Sequence, residues 1–235
     1  KSIKRHSEKV REFDPNAEDN TRMVDFTINR LNGDYDNDLE KTEDENELLE
    51  RTTGYINPQT GEKARLLDEM IEISEQLAAQ KDEKLKNIER FIDKVLKCGK
   101  TWTDEKLIIF TEYKDTLEYI TGTLRKKYGN KRVLNLFGGM TDKDREAIKS
   151  EFESSPEMVE SRILVATDAA SEGINLQNYC RYMIHYEIPW NPIRLEQRNG
   201  RIHRIGQNRD VIIYHYRHEN NEDSRILNLM VKKVS

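Results

Sequence analysis

The sequence is poor in cysteine, lacks a long apolar run and contains no glycine-rich phosphate loop, and each shortage removes a class of protein. Cys98 and Cys180 are the only cysteines in 235 residues, and they make neither a disulfide framework nor a CxxC metal pair. Charged and hydrophobic residues each reach 35%, and no stretch approaches the roughly 18 consecutive apolar residues of a membrane-spanning helix. Lys1 to Val10 shows neither an apolar run nor a small-residue cleavage site, so a soluble, reduced, intracellular protein is expected. The pattern G-x-x-x-x-G-K-[ST] is missing, so nothing is expected to cradle the β- and γ-phosphates of a nucleotide in the P-loop manner. Repeats of fixed period are missing too.

Charge is plentiful but unevenly spread. The formal net charge is -5, which by itself argues against a highly basic nucleic-acid binder, yet a whole-chain sum hides asymmetry. Residues 1–63 hold sixteen acids against ten bases, and Asp34 to Glu50 alone holds nine acids against Lys41. Such a stretch reads as a solvated loop or mobile segment. Residues 100–235 carry 22 bases and 20 acids, and Arg181 to Arg217 has seven arginines, no lysine and only Glu187, Glu196 and Asp210 in opposition. Arginine without lysine suits bidentate recognition of phosphate or carboxylate, or a plain solvated face.

From Ala64 to Cys98 apolar residues recur at helical spacing, which predicts one long helix or two consecutive ones ending near Gly99. Beyond that point the pattern changes to short apolar runs: Leu107–Thr111, Val133–Leu136, Ile163–Thr167, Tyr182–Tyr186 and Val211–Tyr216. These runs are continuous rather than alternating, as in strands buried on both faces. Segments Lys114–Tyr128, Thr141–Phe152 and Pro192–Arg204 carry helical periodicity, with Thr141 and Pro192 as start signals. The expected fold is therefore α/β, a mostly parallel sheet flanked by helices and preceded by a helical and acidic N-terminal segment. Ligands of such sheets meet the loops at the carboxyl ends of the strands.

Three of those loops are candidates. In Phe137-Gly138-Gly139-Met140-Thr141 two glycines allow close backbone approach, and Thr141 opens a helix whose free N–H groups could hold an anion. Ile163 to Gln177 runs from a buried strand into small and polar residues around Gly173, and read plainly it is a capped strand-to-helix turn. Gln197 to Gln207 places Arg201 and Arg204 three apart, pointing one way if both are helical, with Gln197 and Arg198 in the preceding turn. Holding such a cluster together is costly unless an anion sits against it. His203 has no cysteine, serine or carboxylate at useful spacing and reads as a packing or capping residue.

Gln197-x-x-Gly200-Arg201-x-x-Arg204 resembles the sixth motif of superfamily 2 helicases, and its continuation Arg204-Ile205-Gly206-Gln207 resembles the Swi/Snf-type translocases. The other pieces come in the matching order. Leu107 to Thr111 resembles motif IV, Gly138-Gly139 the nucleic-acid loop after it, and Thr167 to Gln177 motif V. Pro189-Trp190-Asn191-Pro192 is similar to bacterial members, including those like the polymerase-recycling translocases. The resemblance covers about Lys84 to Lys233.

That resemblance implies a C-terminal RecA-like lobe over residues 100–235, a helical lead-in over 64–99, and an interlobe insertion or linker, partly flexible, over 1–63. It implies that Arg201 and Arg204 are arginine fingers reaching the γ-phosphate of ATP, and that Gly173, Asn175 and Gln197 lie near the nucleotide or align the fingers. Thr111, Gly138, Gly139 and Thr167 would touch phosphates of one nucleic-acid strand. ATP and Mg²⁺ would be bound mainly by an N-terminal RecA-like lobe of the same protein, which this chain lacks. Asp44-Glu45-Asn46-Glu47 superficially resembles an acidic Mg²⁺ box, but no apolar strand precedes it. The expected partners are that first lobe, duplex DNA and a protein such as a polymerase or a defence complex, with no membrane and a nucleoid location. DEAD-box proteins place histidine at Gln197 and aspartate at Asn175, so both departures favour a double-stranded DNA translocase. An RNA helicase lobe and a non-catalytic α/β module with an acidic arm remain the alternatives.

Overall fold

The computed structural model describes residues 62–79, 83–168, 178–189, 191–203 and 209–216, together with Glu43, Asp44, Gly173, Ile174, Leu176 and Gln207. Most of the acidic tract, with Asn175 and Arg204, lies outside the described residues. The chain divides into two compact units, one containing helix α1 (Glu62–Ala79) and the other continuing from Glu83. The expected 64–99 lead-in is thus shared between them. In the second unit α2 (Glu83–Phe91) runs into a π-helical turn over Ile92–Leu96, and helix ends there rather than near Gly99. The reason is a hairpin: β1 (Lys97–Cys98) pairs antiparallel with β2 (Thr101–Trp102), and Gly99 takes φ 63° in its turn, a conformation glycine adopts without cost.

Five further strands form one sheet in the order β4-β5-β3-β6-β7, namely Val133–Leu136, Ile163–Thr167, Lys106–Thr111, Cys180–His185 and Ile212–His215. Every pairing within it is parallel. Parallel neighbours need crossovers, and three are helical: α3 (Lys114–Tyr128), α4 (Asp142–Glu153) and α5 (Pro192–Ile202). α5 stops two residues short of the expected Arg204 because the chain leaves helical geometry at His203.

Both faces of the sheet are covered. Leu107 and Ile109 of β3, with Ile163 and Val165 of β5, meet α2 and α3 through Leu85, Ile88, Leu117, Ile120 and Leu124. The alternate residues Ile108, Phe110, Leu164 and Ala166 meet Phe152 of α4 and Ile202 of α5. Each fully buried Leu or Ile contributes about 1.5–3 kcal/mol relative to exposure, so these layers fix the strand ends on which the loops sit. Among the described residues no helix is long and apolar enough to cross a membrane.

Candidate functional site

Helix α5 begins where Asn191 caps it, the Oδ1 accepting from the Ile193 N–H at 3.0 Å, with Pro192 in the first turn. From that start Leu195, Arg198 and Ile202 fall on one buried stripe. Gln197 and Arg201, four apart, share another side; Gln197 is exposed and Arg201 half-buried. The Arg201 side chain makes no hydrogen bond or ion pair with the described residues. Its carbonyl accepts from the Leu176 N–H at 3.4 Å, and buried Ile174 and Leu176 anchor the neighbouring loop. Gly173 sits exposed on that loop with φ 79°, and a Cβ there would come within 3.4 Å of Lys149 Nζ. The described part of the Gly173 loop and the end of α5 are thus adjacent at Leu176 and Arg201.

Arg198, one turn earlier, is the opposite of Arg201. Its side chain is 1% exposed, and Nε and Nη2 donate to Asp168 Oδ1 and Oδ2 at 2.5 and 2.6 Å. Nη1 donates to the Glu187 carbonyl at 3.0 Å. The guanidinium carbon lies 5.4 Å from the Phe110 ring centre. His185 faces the same group, with Nδ1 3.4 Å from Arg198 Nη1 and Nε2 3.1 Å from Asn199 Oδ1. Burial first, and then the Arg198 charge, depress the His185 pKa to about 3, so the ring is neutral. Glu187 also closes this end of the sheet: burial raises its pKa, against a Thr111 hydrogen bond and the Lys84 charge.

The expected nucleic-acid contacts divide. Thr111 and Thr167 are adjacent in register on β3 and β5 and are both fully buried; the Thr111 Oγ accepts from the Tyr113 N–H at 3.4 Å. Neither side chain is presented to solvent. Gly138 is buried, whereas Gly139 is exposed with φ 89°. At the start of α4 one of the N–H groups is already taken by the cap. Thr141 Oγ accepts from the Asp144 N–H at 3.2 Å and donates to its carboxylate at 2.7 Å, and Asp142 adds a second negative charge. Among the described residues no group of three or more His, Cys, Asp or Glu is placed to hold a metal ion.

Sequence reasoning gave Arg198 no role of its own, although a signal was present. An arginine three residues after Leu195 and four before Ile202 lies on the apolar stripe, and a buried arginine needs a carboxylate or carbonyls. Asp168, the first residue beyond the buried strand β5, was the available partner.

The chain is similar to known proteins in sequence and in fold. The family model described as "Helicase conserved C-terminal domain" matches residues 80–206. The chain is 43% identical over 131 residues to an uncharacterized ATP-dependent helicase, YqhH, of Bacillus subtilis (strain 168), covering 56% of this chain and 22% of that protein. It is 32% identical over 110 residues to the RNA polymerase-associated protein RapA of Sodalis glossinidius, covering 47% and 11%. A third relative, the SNF2 domain-containing protein CLASSY 4 of Arabidopsis thaliana, is 33% identical over 114 residues, covering 47% and 10%. The chain therefore spans about a fifth or less of the length of these relatives. The crystal structure of the C-terminal part of the Fun30 ATPase domain superposes with a TM-score of 0.51 at 18% identity, covering 78% of this chain and 58% of that one, which shows the shared RecA-like fold.

Proposed function

The chain belongs to the helicase conserved C-terminal domain family, in its Swi/Snf-type branch, and from that premise we propose that it is the second lobe of an ATP-dependent DNA translocase. One observation carries the reading. Arg201 stands at the end of a firmly seated helix, half-buried, beside an exposed glycine loop, with no partner for its charge among the described residues. An arginine so placed fits a phosphoryl group brought by a second lobe. Bound ATP with Mg²⁺ supplies the transferable phosphoryl group; Arg201, with Arg204, offsets the charge that develops on it. Such fingers contribute about 10³ to 10⁵ in rate.

Gly173, Asn175 and Gln197 are proposed to line the nucleotide side. Gly139, and the backbone around Thr111, Gly138 and Thr167, would follow one DNA strand, because the two threonine side chains are buried. Duplex DNA is favoured over RNA by Gln197 and Asn175. The name of the RNA polymerase-associated relative supports a protein partner of polymerase type.

The test is Arg201→Ala in the complete enzyme. A loss of about 10²-fold or more in kcat is expected, at least ~2.7 kcal/mol of transition-state stabilisation, with an unchanged melting temperature. Normal turnover would overturn the finger assignment. The isolated chain is expected to release phosphate at the buffer rate with ATP, Mg²⁺ and duplex DNA, since it has no P-loop. DNA-stimulated turnover by this chain would contradict that.

A further inference from the structure

We propose that Asp168 and Arg198 form a positioning pair that fixes the direction in which Arg201 leaves helix α5. The inference rests on the finger reading of Arg201 and adds two residues that the resemblance did not place in the site. Arg198 lies three residues before Arg201, about 4.5 Å along the helix axis. Its planar fork meets both oxygens of Asp168 at 2.5 and 2.6 Å and its third nitrogen meets the Glu187 carbonyl at 3.0 Å. The next residue, Asn199, holds His185 at 3.1 Å. Two consecutive residues therefore tie the helix to the ends of β5 and β6.

Net stability is a poor reason for this arrangement. A buried ion pair is often no more stable than well-packed apolar side chains of similar volume, and position 198 belongs to the stripe of Leu195 and Ile202. What the arginine adds is direction, because a bidentate fork accepts one angle. Direction matters here because Gly200 lies between Arg198 and Arg201, and glycine inside a helix weakens it. The helix then ends at Ile202. The last turn thus has little stiffness of its own, and the orientation of Arg201 depends on its anchors: the Asp168–Arg198 pair, buried Ile202 and the 3.4 Å bond from Leu176 N–H to Arg201 O. Misplacing a reacting group by about 1 Å can cost about 10²-fold in rate.

The experiment uses the complete enzyme with Asp168→Asn, Arg198→Lys and Arg201→Ala, each assayed for kcat, KM for ATP, affinity for duplex DNA, and melting temperature. Asp168→Asn keeps the shape and removes the charge; Arg198→Lys keeps the charge and removes the fork. Both are expected to lower kcat about 10-fold or more, leaving KM for ATP and DNA affinity within about 3-fold. A merely structural pair would instead lower the melting temperature and leave kcat of the folded fraction intact, and that result overturns the inference. Loss of turnover in Arg201→Ala with normal kcat in both pair variants also overturns it while sparing the finger assignment. Normal turnover in Arg201→Ala removes the finger assignment itself, and the inference with it.

Discussion

The two ends of the sheet differ in one basic residue that only the carboxyl end leaves without a partner among the described residues. At the amino ends of the strands the cations are paired within the fold. Lys106 donates to the Phe152 and Ser154 carbonyls at 2.6 Å each, and Arg162 donates to Thr103, Val159, Ser161 and Pro156 carbonyls at 2.7 to 2.9 Å. Arg181 forks onto Glu105, which Arg209 also approaches at 3.3 Å. At the carboxyl ends Arg198 is consumed in the same manner, but Arg201 is not. A count of arginines therefore says little about the charge offered to a ligand. Among the described residues Lys106, Arg162, Arg181, Arg198 and Arg209 are all spent on carbonyls and carboxylates within the fold.

The largest expected effect tests the amino end. Arg162→Ala leaves four carbonyls without their shared donor and opens the space of a nearly buried side chain. A loss of about 3–5 kcal/mol is expected, read as a lower midpoint in denaturant unfolding of this chain. Its counterpart at the carboxyl end, Arg201→Ala, should be nearly silent in that assay while costing the complete enzyme at least ~2.7 kcal/mol in turnover. If both variants behaved alike in both assays, the contrast between the two ends would fail.

A smaller effect follows from His185. Its folded pKa of about 3 lies below the ordinary value of 6.5, so on acidification the unfolded chain takes up the proton first. The stability this group contributes is complete above pH 6.5 and is lost as the pH falls towards 3. The slope is at most about 1.4 kcal/mol per pH unit for one group. Melting curves between pH 7 and 4.5 should show it, and His185→Gln should flatten it, while the shares of Glu187, whose pKa burial raises, and of His215, whose pKa burial lowers, stay in both proteins and cancel in the comparison. An unchanged slope in that variant would assign the acid sensitivity elsewhere.

Much of the fold was legible because its signals are local. The run Ile163–Thr167 is buried at every position, and the lengths of α3 and β4 agree with the periodicity to the residue. Limits set by hydrogen bonding across the chain were harder to see. The end of the helical lead-in was set by a two-residue hairpin, and the end of α5 by the turn at His203. In the site, the type and order of the motifs were readable, but side-chain direction was not. Thr111 and Thr167 are polar and follow apolar runs, as surface residues would, yet their register at the centre of a five-stranded sheet buries them. Thr141 and Asp144 show the same limit, since the residue that signals a helix start also takes up one of its N–H groups.

The smallest expected effect is also the one with opposite signs in two assays. Gly200 lies inside α5 without a positive φ, and a Cβ built on it meets no described atom within 4 Å. Neither backbone geometry nor packing among the described residues asks for glycine there, and alanine should be the better helix former by about 0.5–1 kcal/mol. The position lies directly beside Arg201, on the part of the helix where a nucleotide and a second lobe are proposed to approach. Gly200→Ala should therefore raise the melting temperature of this chain by a few degrees while lowering ATP turnover in the complete enzyme. A variant that is both more stable and fully active would mean that the space beside Gly200 stays empty in the working enzyme, and that the surface meeting the first lobe lies elsewhere on this domain.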